Sequence, residues 1–419
     1  MGTKRSVAFS KYFKKYGWHP YVLSVKNPDK TYCLVDNVKP PSNITVDYTY
    51  SLLNTNRLLG VINGVVARFM KLFARDLKRN YLIDIFCIPD IFSGWIPLTV
   101  LRGVRAIKEN HMDIIYVSCS PFSAAVIGVI LKIITRKPLI IDFRDVYALE
   151  IPSLESAPTK PVFRKKIDAW IEDIILKWAD LFVVTTEEMR DAYLAAYDHL
   201  AAKIFTVHNG FETGDLPIKT PLHKFTKFTI VYAGNFYFDA FGSDVFFQAL
   251  ALLKDKGRIH GKNFQFLYYG GEVERFHRMS RRLPIEDLVV TNPHMSHDKL
   301  MGVLRRSHLE LIRIMKPMIS TKVFEGIAMN IPLLAIIPNG EVEQMIKKYS
   351  PSAYVITELS PGKVAAAILD AMNKYEKNDI RDNHVSEFLK RFSREHLTLN
   401  FMKIIETNIH DGENSKTFN

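Results

Sequence analysis

Residues 312–338 read IRIMKPMISTKVFEGIAMNIPLLAIIP. A β-branched strand enters a loop that contains Pro317. Ser320 or Thr321 then stands as the cap of a helix over 321–329, and a second apolar strand follows at 333–337. Strand, helix and strand in this order form the repeating unit of a parallel sheet. The helix carries Lys322 and Glu325 in its first turns. A helix N-terminus presents unpaired N–H groups and a favourable dipole to a phosphate. Lys322 would add a point charge to a diphosphate, and Glu325, one turn on, would accept from ribose hydroxyls. The same residues also suit an ordinary capped surface helix.

The alternation continues in both directions. Strands are expected at 21–25, 83–88, 114–118, 139–143, 181–185 and 204–208, and again at 229–232, 265–269, 309–314 and 354–356. Helix 122–134 is apolar almost throughout, as a buried helix is. Helix 162–178 sets Phe163, Ile167, Trp170, Ile171, Ile174 and Trp178 at spacings of three and four. Thr185 and Glu188 form a capping signature for helix 187–197. Further helices are read at 245–255, 299–306, from 342, and at 362–374. Only 212–228, ETGDLPIKTPLHKFTKF, has no apolar period; its prolines, glycine and charges mark a linker.

The expected fold class is therefore α/β, with two doubly wound Rossmann-like parallel-sheet domains facing a cleft. Their bounds are 1–211 and 229–393, joined by the linker 212–228 and followed by a C-terminal helix and tail, 394–419. That last helix suits either domain. Ligands are expected at the carboxyl ends of the strands, in the cleft.

Composition narrows the class. The 419 residues, 47% hydrophobic and 24% charged, exclude disordered and low-complexity chains. Three cysteines without a CxxC pair exclude a disulfide framework and a thiolate zinc site, and favour a reducing compartment. The net charge of +12 attracts anions: nucleic acid, acidic lipid or phosphorylated substrates. No RNA-binding motif or helix-turn-helix pattern accompanies the charge, so nucleic acid is not expected as a partner. Residues 68–79, RFMKLFARDLKR, would form a cationic amphipathic helix suited to an anionic membrane surface, or equally a core helix with a solvated basic face. The longest apolar stretch, 123–143, is broken by Lys132, Arg136 and Lys137 and does not span a bilayer. The expected location is cytoplasmic, with the inner membrane face as a peripheral site.

Other residues carry chemistry beside a plainer reading. Asp142, Arg144 and Asp145 end a parallel strand, where they suit either a ligand or a structural ion-pair knot. Ser118 and Ser120, before Pro121, suit hydroxyl donors or helix caps. Gly234 lets the backbone approach a phosphate closely; Gly270 and Gly271 do the same or simply turn. Asn209-Gly210 is first a turn pair. His294 and His297 lie three apart without a third ligand, so no metal site is expected.

Several stretches, in order, resemble one family: SPFSAAVIGVILKIITRKPLIIDFRDVY (120–147), VVTTEEMRDAYLAAY (183–197), KIFTVHNGFE (203–212), IVYAGNFY (230–237) and the segment 312–338. Together they are similar to the family 4-like nucleotide-sugar glycosyltransferases of GT-B architecture. The resemblance implies transfer of a sugar, with retention and without a metal or other cofactor, from a nucleotide-diphosphate sugar to a glycan or lipid-linked acceptor in cell-surface polysaccharide or glycoconjugate synthesis. It further implies a diphosphate on the amides of Ser320, Thr321 and Lys322, above Gly234 and Asn235. Gly270 would lie beside it, His294 against the nucleobase and Glu325 on the ribose. Lys322, Glu325 and Asp145 would be catalytic, and Arg5, Ser120 and Arg144 would meet the acceptor.

Three departures stand against full transfer. Pro317 replaces the first acid of the family's Glu-x7-Glu pair. Residues 235–245, NFYFDAFGSDV, hold no basic residue to neutralise a diphosphate. Residues 2–25 resemble the family's first helix and second strand, with Gly2 and Arg5 in the tail of its glycine-rich loop, so the first strand is expected before Met1. These departures keep two other readings open: a catalytically silent GT-B protein that binds a glycan or a partner transferase, and a sugar-nucleotide epimerase.

Overall fold

A computed structural model describes residues 2–26, 40–52, 87–149, 161–216, 223–236, 238, 243–314, 318–377 and 385–410. The basic stretch 68–79, the strand expected at 83–88 up to residue 86, and Pro317 lie outside them.

The N-terminal half opens with helix α1 (Gly2–Lys15), and strands β1 (Tyr21–Val25) and β2 (Thr45–Thr49) pair in parallel. After helix α2 (Ile96–Glu109) come β3 (Ile115–Cys119), α3 (Ser123–Thr135), β4 (Leu139–Phe143), α4 (Val162–Trp178), β5 (Leu181–Val184), α5 (Glu187–Ala196) and β6 (Ile204–Thr206). Strands β3 to β6 form a four-stranded parallel sheet in sequential order. Alternate residues face opposite sides of a strand. Leu139, Ile141, Phe143, Phe182 and Val184 therefore pack in one core with α3 and α5 residues, while Ile140, Leu181 and Val183 face the other side.

The C-terminal half holds β7 (Phe228–Ala233), α6 (Ser243–Asp255), β8 (Phe264–Tyr269), α7 (Val273–Arg282), β9 (Val289–Asn292), α8 (His297–Arg306), β10 (Leu309–Arg313), α9 (Thr321–Ala328), β11 (Leu333–Ile336), α10 (Glu341–Tyr349), β12 (Tyr354–Ile356) and α11 (Pro361–Glu376). The sheet order is β12-β11-β10-β7-β8-β9, all parallel. The order reverses between β7 and β10, the switch point of a doubly wound sheet, and the strand ends there bound the crevice in which such sheets bind ligands. Ile230 and Tyr232 face one core and Val231 the other, so helices cover both faces.

Helix α12 (Val385–Phe392) closes the C-terminal half, and α13 (Arg394–Ile405) crosses back. The two crossings run side by side: Arg394 N–H donates to Phe211 O at 3.0 Å. The final helix packs on the N-terminal half, where Phe401, Met402 and Ile405 join Phe9 and Phe13 of α1 over Ile140, Leu181 and Val183. Among the described residues two strands escape the sequence reading: β2, and the four-residue edge strand β9.

Candidate functional site

Both strands at the switch point end in residues with unusual demands. After β7, Gly234 takes φ +105°, a conformation that favours glycine, and its N–H donates to Tyr269 O at 2.8 Å. A Cβ there would lie 3.2 Å from Lys322 Nζ. After β10, Ser320 caps α9 by accepting the Lys322 N–H at 3.4 Å. The first turn of α9 therefore points at the Gly234 turn, and Lys322 bridges them with its ammonium 4.4 Å from the Tyr232 ring centroid. The structure thus brings Lys322, on the helix capped by Ser320, against the Gly234 turn.

The electrostatics of this crevice are unusual. Burial pushes Lys322 down to about 8, against the fields of Glu310 and Glu325, which favour its charge. Glu310, buried on β10, is raised to about 8, first by desolvation. Among the described residues its Oε2 has no hydrogen-bond partner, and a Cβ on Gly326 would come within 2.6 Å of that oxygen. Arg313, at the end of β10, donates to Phe236 O at 2.5 Å and lies 4.0 Å from that residue's ring centroid. Burial lowers it to about 10, with Tyr232, Glu272 and Asp244 opposing. A second cation thus reaches the Gly234 turn from β10, although residues 235–245 supply none. Arg313 and Glu310 were missed; the signal is two charges inside the buried strand Leu-Glu-Leu-Ile-Arg.

Glu325 is buried, and its Oε1 is 2.9 Å from His297 Nε2. The buried guanidinium of Arg394 lies in the field of Glu325, Glu212 and Asp215. The crevice wall continues at the ends of β8 and β9. A Cβ on Gly270 would strike the Tyr268 hydroxyl at 2.1 Å, and one on Gly271 would meet His294 Nε2 at 3.4 Å. The exposed His294 therefore borders the same crevice. Asn235 is exposed, and its C=O accepts from the Tyr232 hydroxyl at 2.6 Å. Glu272 fixes this turn by accepting the Phe236 N–H.

On the N-terminal half, Ser120, Arg144 and Asp145 lie together beyond β3 and β4. Arg144 Nε donates to Cys119 O at 2.8 Å and its Nη2 to Ser120 O. Asp145, half-buried, has no polar partner among the described residues. Arg5 does not join them at the surface. Its guanidinium is buried and donates to both Asp142 oxygens at 2.8 and 3.1 Å, to Val207 O at 2.9 Å and to His208 O at 2.8 Å. Tyr116 donates to the same carboxylate at 2.6 Å. The ion-pair knot expected within 142–145 forms instead between Asp142 and Arg5, because α1 packs directly on β4 and β5. Four of the five guanidinium N–H donors of Arg5 are thereby engaged within the protein, and the side chain is buried.

Among the described residues no group of His, Cys, Asp and Glu is placed to hold a metal ion, and no helix is long and apolar enough to cross a membrane.

Comparisons with known proteins bear on the fold. Residues 67–215 match the sequence model described as Glycosyltransferase Family 4. Anabaena Alr3699/HepE, in complex with UDP and glucose, has the same fold: TM-score 0.64, 13% identity, 97% of this chain and 96% of that one. The lipopolysaccharide outer core galactosyltransferase WaaB in its apo form aligns at TM-score 0.54 and 14% identity, over 97% and 94% of the two chains. Sucrose-phosphate synthase from Thermosynechococcus elongatus aligns at 0.57 and 14% identity, over 75% and 78%. Among curated proteins none matches the sequence. The fold is GT-B, and the resemblance to its family 4-like members holds.

Proposed function

We propose that this GT-B protein, family 4-like over residues 67–215, is a glycosyltransferase that moves a sugar from a nucleotide-diphosphate sugar to a glycan or lipid-linked acceptor, with retention, in polysaccharide or glycoconjugate synthesis. The observation that carries this reading is the convergence of the Gly234 turn, the capped N-terminus of α9 and Lys322 at the switch point of the C-terminal sheet. Backbone N–H groups of the two turns would receive the diphosphate, and Lys322 with Arg313 would balance its charge. Such charge, fixed in place before reaction, stabilises a departing nucleoside diphosphate. Glu325, oriented by His297, would hold the ribose; His294 would lie against the base. Ser120, Arg144 and Asp145 would meet the acceptor from the opposite half. The HepE complex with UDP-glucose makes uridine the first base to test.

The test is turnover of UDP-sugars by the full chain, with the anomeric configuration of product followed by NMR. Release of UDP that depends on an acceptor, lost in Lys322→Ala while the melting curve stays cooperative, supports the assignment. Conversion of the donor without any acceptor would favour an epimerase instead. No turnover of any nucleotide sugar would leave the silent scaffold as the better reading.

A further inference from the structure

Helix α4 carries apolar residues on both sides and charged ones inside. Its inward face holds Arg164, Asp168 and Glu172, all buried, together with Ile175, Leu176 and the partly buried Ile171, which pack on the core. The polar groups are satisfied there. Arg164 donates to Asp168 at 2.7 Å, to Cys87 O at 2.9 Å and to Pro89 O at 2.6 Å, and Tyr147 donates to Asp168 at 2.9 Å. Glu172 accepts from Ala148 N–H and from the hydroxyls of Tyr193 and Tyr197 at 2.8, 3.0 and 2.9 Å.

The apolar stripe faces outward. Val162, Phe163, Trp170 and Trp178 are 72%, 46%, 65% and 42% exposed, and Ile167 and Ile174 lie half-buried between them. The spacing 163, 167, 170, 174, 178 keeps these residues on one side of the helix over four turns. Two of the chain's four tryptophans stand here in contact with solvent. The end of α3 extends the patch. Lys132 pairs with Asp180, two residues beyond Trp178, at 2.6 Å, which brings Ile133 and Ile134, 51% and 52% exposed, alongside. Cations fringe it: exposed Lys165, Lys166, Lys177 and Arg136, with half-buried Lys137. Three acids stand in this fringe and each pairs with one of its cations, Asp173 with Lys177 at 2.6 Å, Asp180 with Lys132 at 2.6 Å and Asp113 with Lys137 at 3.8 Å, which leaves Lys166 and Arg136 as surplus charge among the described residues.

A contiguous apolar patch of this kind marks a surface that something covers. We infer that the outer face of α4 with the end of α3 docks the protein onto an anionic lipid bilayer. Tryptophan and phenylalanine side chains settle at the headgroup level, and lysines beside them meet acidic headgroups. A second copy of the chain fits less well. In a two-fold contact the patch meets itself, and the lysine fringe would face its own copy. The inference does not depend on the donor site.

The test is cosedimentation of the full chain with vesicles of phosphatidylcholine alone and of equimolar phosphatidylcholine and phosphatidylglycerol, with tryptophan emission recorded in parallel. The anionic vesicles should bind the protein, shift its emission to the blue and release it as salt rises. Trp170→Ser with Trp178→Ser, and separately Lys166→Glu with Lys177→Glu, should each weaken binding at least about tenfold. These positions are exposed, so the thermal transition should not move, and nucleotide binding serves as a second check of the fold. No binding of the wild type to anionic vesicles, or undiminished binding by both variants, would overturn the inference. So would a dimer in sedimentation velocity that the tryptophan substitutions dissolve, because the stripe would then be a self-association face.

Discussion

The backbone N–H of Glu341 donates to Glu188 Oε1 at 2.7 Å, and the N–H of Glu188 donates to Glu341 Oε2 at 3.1 Å. Helices α5 and α10, from opposite halves of the molecule, thus cap each other: each first-turn carboxylate sits on the other helix's unpaired N–H groups, where the dipole favours it. His208 Nε2 lies 2.8 Å from Glu341 Oε1, and the His208 carbonyl accepts from Arg5. A continuous polar chain therefore runs from Asp142 inside the N-terminal half to Glu341 in the C-terminal half.

This clasp should be measurable as stability. Glu188→Ala removes one cap and leaves the Glu341 N–H without its partner, a loss of about 1 kcal/mol, seen as a fall of roughly 2–4 °C in Tm for a domain of this size. Gly340→Ala should cost more, since its φ is +144° and a Cβ would lie 2.0 Å from Glu188 Oε1. An unchanged Tm in both variants would contradict the reciprocal caps.

Arg5 should behave as a structural residue. Replacing it by methionine strands a fully buried carboxylate at Asp142, which costs about 3–5 kcal/mol. Urea unfolding should show that loss, and Arg5→Met combined with Asp142→Asn should lose less than the two changes summed. A variant with wild-type stability and a raised acceptor KM would return Arg5 to the acceptor site.

Glu310 and Lys322 predict opposite pH effects. The folded protein holds the Glu310 proton more tightly than the unfolded chain, at about 8 against 4.5, so that contribution is full below 4.5 and is lost as pH rises through about 8. Lys322 is lowered from 10.5 to about 8, so its cost is present below about 8 and is relieved as pH rises from there toward 10.5. Glu310→Gln should flatten the loss of stability between pH 4.5 and 8, as denaturant midpoints would record. At the proposed donor site, where charged Lys322 would meet the diphosphate, nucleotide binding should weaken above pH about 8 in the wild type and hold to higher pH in Lys322→Arg. A wild-type affinity that stays flat across pH about 8 would speak against the Lys322 contact.

At Gly234, alanine brings both a strained φ of +105° and a Cβ 3.2 Å from Lys322 Nζ. The strain alone costs about 1–2 kcal/mol, and displacement of the lysine should weaken nucleotide binding by about tenfold or more, a loss of about 1.4 kcal/mol. Calorimetry on Gly234→Ala checks both terms.

Much of the fold was legible because buried parallel strands are short β-branched runs between helices, as at 139–143 and 333–337. Strand β9 was not, since its four residues are only partly buried and carry no alternation. Helix α4 shows where period alone falls short. Its spacing locates the apolar stripe but not the side that faces the core, because Arg164 and Asp168 pair with each other and, with Glu172, find further buried partners at Cys87, Pro89, Tyr147, Ala148, Tyr193 and Tyr197. The Gly234–Lys322 cluster could be read from local signals: a glycine after one strand and a capped helix after another. The charge of Arg313 in a buried strand is such a signal too, but its relation to Gly234, like that of His297 to Glu325, exists only across the sheet.

The most direct measurement is isothermal titration of the full chain with UDP, GDP and ADP, repeated on Lys322→Ala and Glu325→Ala. The account predicts that one nucleoside diphosphate binds the wild type and that both variants lose at least about tenfold in affinity while melting cooperatively, as a lost charge-assisted contact of about 1.5–3 kcal/mol would give. Absence of binding by every nucleotide, or equal affinity in wild type and both variants, would contradict a donor site between Gly234 and the N-terminus of α9.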